Sequence, residues 1–224
     1  MITAPASTES SALAARMDNL YRRQRHIYDF TRKYFLLGRD RLIARLQPKA
    51  GDSVLEIGCG TGRNLVRAAR RYPHARFFGI DISAQMLISA GEAIARNRLT
   101  SRVVLARADA ANFDAATLLG RTRFDRVYFS YSLSMIPQWR AALPQAYALL
   151  ERRGTLHIVD FGGRYGLPAP IPAALARWLQ PFAVTPCDEL EYELFGLAER
   201  ANAALAFERP YLGYAQCAIL QRAD

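Results

Sequence analysis

Residues Val54-Leu55-Glu56-Ile57-Gly58-Cys59-Gly60-Thr61-Gly62 decide how the rest of the chain is read. An apolar run of strand length breaks into glycines at alternate positions, and a helical stretch begins near Arg63. Glycine has no Cβ, so the chain can turn sharply and a ligand can lie directly on the backbone. The spacing is E-x-G-x-G-x-G, not the G-x-G-x-x-G of dinucleotide loops. Glu56 can support the turn or reach a cationic group of a ligand. It makes a poor phosphate cradle, because a carboxylate repels the anion that a helix N-terminus attracts. That disfavours a nicotinamide dinucleotide enzyme.

Outward from this turn, short apolar or β-branched runs alternate with helical stretches. The runs are Val54–Ile57, Phe77–Asp81, Val103–Ala106, Val127–Ser130 and Leu156–Asp160, with helices predicted over 62–71, 84–97, 114–119 and 138–150. Such alternation means crossover units on a parallel sheet. Sheets of this kind bury both faces, which explains strands that do not alternate cleanly. After Gly162 the pattern breaks into a Gly- and Pro-rich stretch with a helical candidate over Ala173–Leu179. A helix over 188–203 and two runs, Ala204–Phe207 and Tyr214–Leu220, follow, the pair reading as a terminal hairpin.

Two further acids stand at strand ends. Asp81 closes the second strand, where a carboxylate can accept both hydroxyls of a ribose. Asp109 follows the third strand and can orient an adenine edge beside the Ala110 amide. With the glycine turn, these acids make residues 50–160 resemble the class I S-adenosylmethionine-dependent methyltransferases. The resemblance implies an α/β fold: a Rossmann-like, doubly wound sheet, mostly parallel, with an antiparallel C-terminal edge hairpin and an N-terminal helical cap. It implies S-adenosylmethionine as cofactor, with Glu56, Gly58 and Gly60 toward the methionine part and Asp81 on the ribose. Ile82 and Met86 would flank the adenine, Asp109 and Ala110 would meet its edge, and Ser130 would lie beneath the methionine.

The chain has 224 residues, 51% of them hydrophobic, enough for one sizeable core. Its formal charge is +10, which favours anionic partners, either nucleic acid or a membrane surface. Cys59, Cys187 and Cys217 are widely spaced, with no metal-binding spacing. No metal is expected, and a reducing cytoplasm is the simplest compartment. No run is long enough to span a bilayer, and no signal peptide is evident. Residues 1–15 are expected to be a disordered tail, 16–47 a basic helical cap, and 48–224 the catalytic domain with a substrate-side insert at 162–203.

The acceptor is read from two segments. Phe129-Ser130-Tyr131-Ser132-Leu133-Ser134-Met135-Ile136-Pro137 lacks the Asn/Asp-Pro-Pro-Tyr of enzymes that methylate base nitrogens, so nucleic acid is not the expected partner. The stretch Tyr21–Leu42 is similar to the cap of the ubiquinone/menaquinone methyltransferases. It looks closer still to the bacterial N-methyltransferases of betaine-lipid synthesis, which trimethylate diacylglyceryl homoserine. That resemblance implies a lipid substrate and a peripheral place on the anionic inner face of the membrane. Residues 16–45 carry nine bases against three acids, with aromatics interleaved, as such a surface would require. The alternatives are a C-methyltransferase of a polyprenylated quinone and a phosphatidylethanolamine N-methyltransferase.

An amine acceptor ends as a quaternary ammonium, which aromatic faces attract. Tyr28 and Tyr131 are the expected aromatic wall. Asp160, at the tip of the fifth strand, is expected to hold or deprotonate the ammonium. Tyr21 and Arg25 on the cap are assigned to the cofactor, and Arg25 is also the first choice for a substrate carboxylate. His157 reads as a core histidine.

Overall fold

The five runs after residue 50 all become strands, and all but the edge strand at Val103–Arg107 are largely buried. The computed structural model describes residues 36–162 and 185–224. Chain order is α1 (Arg39–Leu46), β1 (Ser53–Ile57), α2 (Arg63–Arg71), β2 (Arg76–Asp81), α3 (Ala84–Arg96), β3 (Val103–Arg107) and α4 (Ala115–Leu119). There follow β4 (Phe124–Ser130), a 3₁₀ turn (Leu133–Met135), α5 (Trp139–Ala148), β5 (Leu150–Phe161), α6 (Leu190–Ala201), β6 (Ala204–Glu208) and β7 (Ala215–Gln221). The strands form one seven-stranded sheet in the order β3-β2-β1-β4-β5-β7-β6. The first five are parallel, and β7 pairs antiparallel with both β5 and β6. The expected doubly wound sheet with an antiparallel edge hairpin is therefore present.

Alternation along each strand divides the interior between the two faces. Leu55, Ile57, Val127 and Phe129 meet Leu143 of α5 and Leu190 and Leu194 of α6 on one side. Val54, Phe77, Tyr128 and Val159 meet Leu42, Ile43 and Leu46 of α1 and Leu65 of α2 on the other. Strand order reverses between β1 and β4, so the loops at their carboxyl ends diverge and leave a crevice.

Several boundaries differ from the sequence reading. The fifth strand starts at Leu150, not near 156, and the helix before it stops at Ala148. A register shift between Phe124 and Arg126 takes up the extra residues, and Arg153 turns at φ +60°. The helix Arg39–Leu46 shares one core with β1 and β5, so that core crosses the expected boundary at 47/48. Likewise, α6 lies within the expected 162–203 insert but packs in the sheet core against α5. The tail 1–15, the cap up to residue 35 and the candidate helix Ala173–Leu179 lie outside the described residues. Among the described residues no helix is long and apolar enough to cross a membrane, and no three metal-ligating side chains cluster.

Candidate functional site

The glycine turn follows β1 at the crevice. Gly58, Gly60 and Gly62 have φ of +74°, +53° and +74°, a backbone that side chains resist. The Gly58 and Cys59 amides both donate to the Ile80 carbonyl at 2.9 Å, so the turn is pinned to β2. Space is as demanding as backbone at Gly58, where a Cβ would stand 2.5 Å from the Ser132 Cβ.

Asp81 is held by two backbone donors. Its Oδ2 accepts from the Gly60 amide at 2.8 Å and its Oδ1 from the Ser83 amide at 2.9 Å. Two backbone donors fix the direction of this carboxylate. Asp109 is oriented in the same way by the Ala111 amide, at 3.0 Å on Oδ1. Both acids, with Gly58, Gly60, Ile82 and Ala110, line one cleft. Its free volume, including open water at the mouth, is about 630 Å³. No basic side chain is among the described residues that line it.

The far end of the cleft is built by the segment after β4. Tyr131 sits in the left-handed region at φ +56° and is 1% exposed. Tyr131 is among the residues that line the cleft, and its ring meets Phe161 edge-on, with centroids 4.7 Å apart. Its hydroxyl donates to the Leu37 carbonyl at 2.6 Å. Burial holds that phenol far above the usual tyrosine range. The Ser132 Oγ donates to the Ile57 carbonyl at 2.8 Å.

Several sequence-predicted residues lie elsewhere. Glu56 is buried beneath the turn, not in the cleft. Its Oε1 accepts from Asn64 Nδ2 and its Oε2 from the Tyr128 hydroxyl, each at 2.9 Å. Desolvation pushes its carboxyl up to about 8, against the pull of those two bonds. Glu56 thus joins α2 and β4 to the turn, which is why it does not reach a ligand. Met86 on α3 is buried and is not among the residues that line the cleft, whereas Ile82 is. Met135, Ile136 and Pro137 supply further apolar lining.

Ser130 is buried one residue short of the cleft wall, and its Oγ has no hydrogen-bond partner among the described residues. Ser132 lines the cleft in its place. Asp160 is fully buried, and its carboxylate accepts from the Ser134 amide at 3.1 Å and the Phe161 amide at 2.8 Å. It caps the 3₁₀ turn and does not face the cleft; desolvation raises its pKa. His157 is a core residue as expected, its Nε2 2.9 Å from Thr155 Oγ1. Burial, with the charges of Arg126 and Arg45, lowers it to about 3. Tyr21, Arg25 and Tyr28 lie outside the described residues.

Sequence reasoning left Ser132, Met135, Ile136 and Pro137 unassigned. The available signal was position: they follow β4 at the point where strand order reverses, and a crevice there must be walled by them.

Residues 54–154 match a family model described as a methyltransferase domain. A ubiquinone/menaquinone biosynthesis C-methyltransferase of Allorhizobium ampelinum is 32% identical over 130 residues, 55% of this chain and 47% of the relative. A trans-aconitate 2-methyltransferase of Methylobacterium radiotolerans is 32% identical over 117 residues, covering 52% and 41%. The chain spans about half the length of the curated relatives it matches. Among solved structures, the YcgJ protein of Bacillus subtilis superimposes with a TM-score of 0.63 at 14% identity, covering 84% of this chain and 98% of that one. A methyltransferase of Aquifex aeolicus gives 0.62 at 15% identity, covering 86% and 93%. At such identities the structures speak for the fold.

The lining itself selects among cofactors. A diphosphate seated on the glycine turn would meet Asp81 at the Gly60 amide and find no base beside it among the described residues. A ligand that is adenosine at one end and cationic at the other suits two oriented carboxylates and an apolar wall. S-adenosylmethionine, the methyl donor of such methyltransferases, is such a ligand, and residues 54–154 are similar to a methyltransferase domain.

Proposed function

We propose that the protein methylates the amino headgroup of a membrane lipid, trimethylating diacylglyceryl homoserine to the betaine lipid. The observation that carries this reading is Tyr131. Tyr131 is an aromatic lining residue whose hydroxyl is taken by the Leu37 carbonyl, and among the described residues no basic side chain lines the cleft. An aromatic residue beside the acceptor suits the cation formed by the last methylation. The likeness of Tyr21–Leu42 to the betaine-lipid enzymes supports the same choice.

S-adenosylmethionine, when bound, supplies an electrophilic methyl group on a sulfonium. The protein's part is alignment, which can supply most of the rate of a displacement. Gly58 and Gly60 give the ligand a backbone floor, and Asp81 and Asp109 fix its adenosine end. Tyr131 and Ser132 bound the acceptor side. The amine must arrive neutral, and each of the first two methylations releases a proton. Asp160 and His157 are closed off in the interior, so that proton leaves to water at the open mouth.

The site of action in this reading is the anionic inner surface of the cytoplasmic membrane. A second reading, C-methylation of a polyprenylated quinone, is favoured by the relative from Allorhizobium ampelinum. A third is phosphatidylethanolamine N-methylation. The deciding experiment is mass spectrometry of lipid products after incubating the protein with S-adenosylmethionine. Diacylglyceryl homoserine, phosphatidylethanolamine and a demethylated quinone are offered in parallel. Three successive methyl additions on the homoserine lipid alone are expected; product only from the quinone or phosphatidylethanolamine would sink the betaine-lipid reading.

A further inference from the structure

Between β6 and β7 the chain turns through Arg209–Tyr214 against its own backbone preference. The Tyr214 amide donates to the Tyr211 carbonyl at 3.1 Å, closing a four-residue turn. Its central residues, Leu212 and Gly213, have φ of +55° and +77°, and Tyr211 stands at +58°. Two positive values in succession are the sign pattern of a type I′ turn, where Asn-Gly is the ordinary pair. Leucine and tyrosine are strained by such a backbone. They gain little from burial either, since Leu212 is 68% exposed and Tyr211 43%. Fold stability does not account for apolar side chains at these two positions.

The turn stands where the cleft opens. Ala215, at the start of β7, pairs with Phe161 at the carboxyl end of β5, so the turn lies at the carboxyl ends of the parallel strands. A third exposed apolar residue, Leu37, neighbours it, because a Cβ on Gly38 would sit 3.5 Å from Tyr211 Cε2. The bond from Tyr131 to the Leu37 carbonyl ties this apolar tip to the cleft wall. The elements that flank it carry guanidinium groups. Arg41 and Arg45 share the single carboxylate of Glu208, and Arg209 pairs with Glu191, leaving three cations against two carboxylates. An apolar tip flanked by elements with an excess of cations suits the boundary between headgroups and acyl chains of an anionic bilayer.

We infer that the Tyr211–Leu212 turn, with Leu37 beside it, inserts into an anionic bilayer surface and sets the cleft mouth on it. The inference rests on the lipid-substrate reading above and adds the surface that docks. The same strained turn that gains nothing for the fold then places the cleft where a headgroup can enter without leaving its bilayer.

The test uses the full chain with vesicles of phosphatidylcholine containing phosphatidylglycerol, and of phosphatidylcholine alone. Leu212→Asn installs a residue suited to positive φ, so thermal stability stays equal or rises. Its affinity for the mixed vesicles falls about tenfold, the scale of losing one leucine from an apolar phase. In a Leu212→Trp variant, emission shifts to the blue on the mixed vesicles, relative to the wild type. Wild-type vesicle affinity in Leu212→Asn overturns the inference. So does an unshifted Leu212→Trp spectrum on vesicles that sediment the protein. Neither readout needs turnover. Loss of vesicle binding in Leu212→Asn with no lipid methylated by the wild type leaves the docking surface standing and removes the substrate reading. Methylation of the homoserine lipid with unchanged vesicle binding does the reverse.

Discussion

Asp81 accepts the Gly60 amide across 21 residues of sequence, at 2.8 Å, and so closes the glycine turn from outside. The carboxylate that would hold the ribose is therefore also a structural tie for the backbone floor. Its two duties cannot be separated by position, only by chemistry.

Asp81→Asn keeps the shape but replaces one acceptor oxygen with a donor, which would face either the Gly60 or the Ser83 amide. Hydrogen bonds to a charged group contribute roughly 1.5–3 kcal/mol. We expect S-adenosylhomocysteine affinity, measured by calorimetry, to fall about tenfold to a hundredfold, with a smaller loss of thermal stability. Unchanged affinity would show that the acid serves the turn alone.

Gly58→Ala puts a methyl 2.5 Å from the Ser132 Cβ on a backbone at φ +74°. Overpacking and strain together predict a loss of about 2–4 kcal/mol in denaturant stability. In Gly58→Ala/Ser132→Gly the steric part is relieved and the backbone part remains. The double variant should therefore lose less than the sum of the two single changes. Simple additivity in that cycle would place the cost wholly in the backbone.

Much of the fold was legible because its signals are local. The five apolar runs, the glycine turn and the acids at strand tips lie where their own residues specify. What was misplaced depends on which way a buried side chain turns. Glu56 and Asp160 both stand at strand ends, yet each points into the protein, because neighbours from distant segments offer donors there. For Glu56 these are Asn64 and Tyr128; for Asp160 they include the Ser134 amide. A strand period tells which face a residue takes, but not whether that face holds a ligand or a turn to be capped. The long start of β5 was hidden for a related reason: the register shift opposite Phe124 is a property of the pair, not of either strand alone.

The two aromatic and acidic groups expected at the acceptor end separate cleanly. Tyr131→Phe removes only the bond to Leu37, so methyl transfer should persist while stability falls by about 1 kcal/mol. Tyr131→Ala removes the ring from the cleft and should cost activity as well. Asp160→Asn presents an amide donor to backbone donors in a fully buried place. It should lower stability by roughly 1–3 kcal/mol and leave the pH profile of turnover unmoved. A shifted profile in Asp160→Asn would return that carboxylate to the chemistry.

Glu56 gives the protein an unusual dependence on pH. Its folded-state pKa is near 8, against 4.5 for an ordinary glutamate, and desolvation is the largest cause. A raised acid binds more protons folded than unfolded between those values, so its contribution is complete below pH 4.5 and is lost as pH rises toward 8. His157 has the opposite sign. Lowered from 6.5 to about 3, it contributes fully above 6.5 and loses that contribution as pH falls. Taken together, these two groups oppose each other between 4.5 and 6.5, and above 6.5 only the fall from Glu56 remains. Glu56→Gln deletes that fall. Urea denaturation of both proteins at several pH values isolates it, since all other groups cancel in the difference. The wild type should lose stability relative to Glu56→Gln by an amount on the order of a few kcal/mol as pH rises to 8. A difference that stays flat with pH would mean that Glu56 is already ionised in the folded protein, its charge met by Arg39, whose field lowers this carboxyl. Glu56 would then be a buried ion-pair partner under the cofactor turn, and Arg39→Met would be expected to raise its pKa and restore the slope.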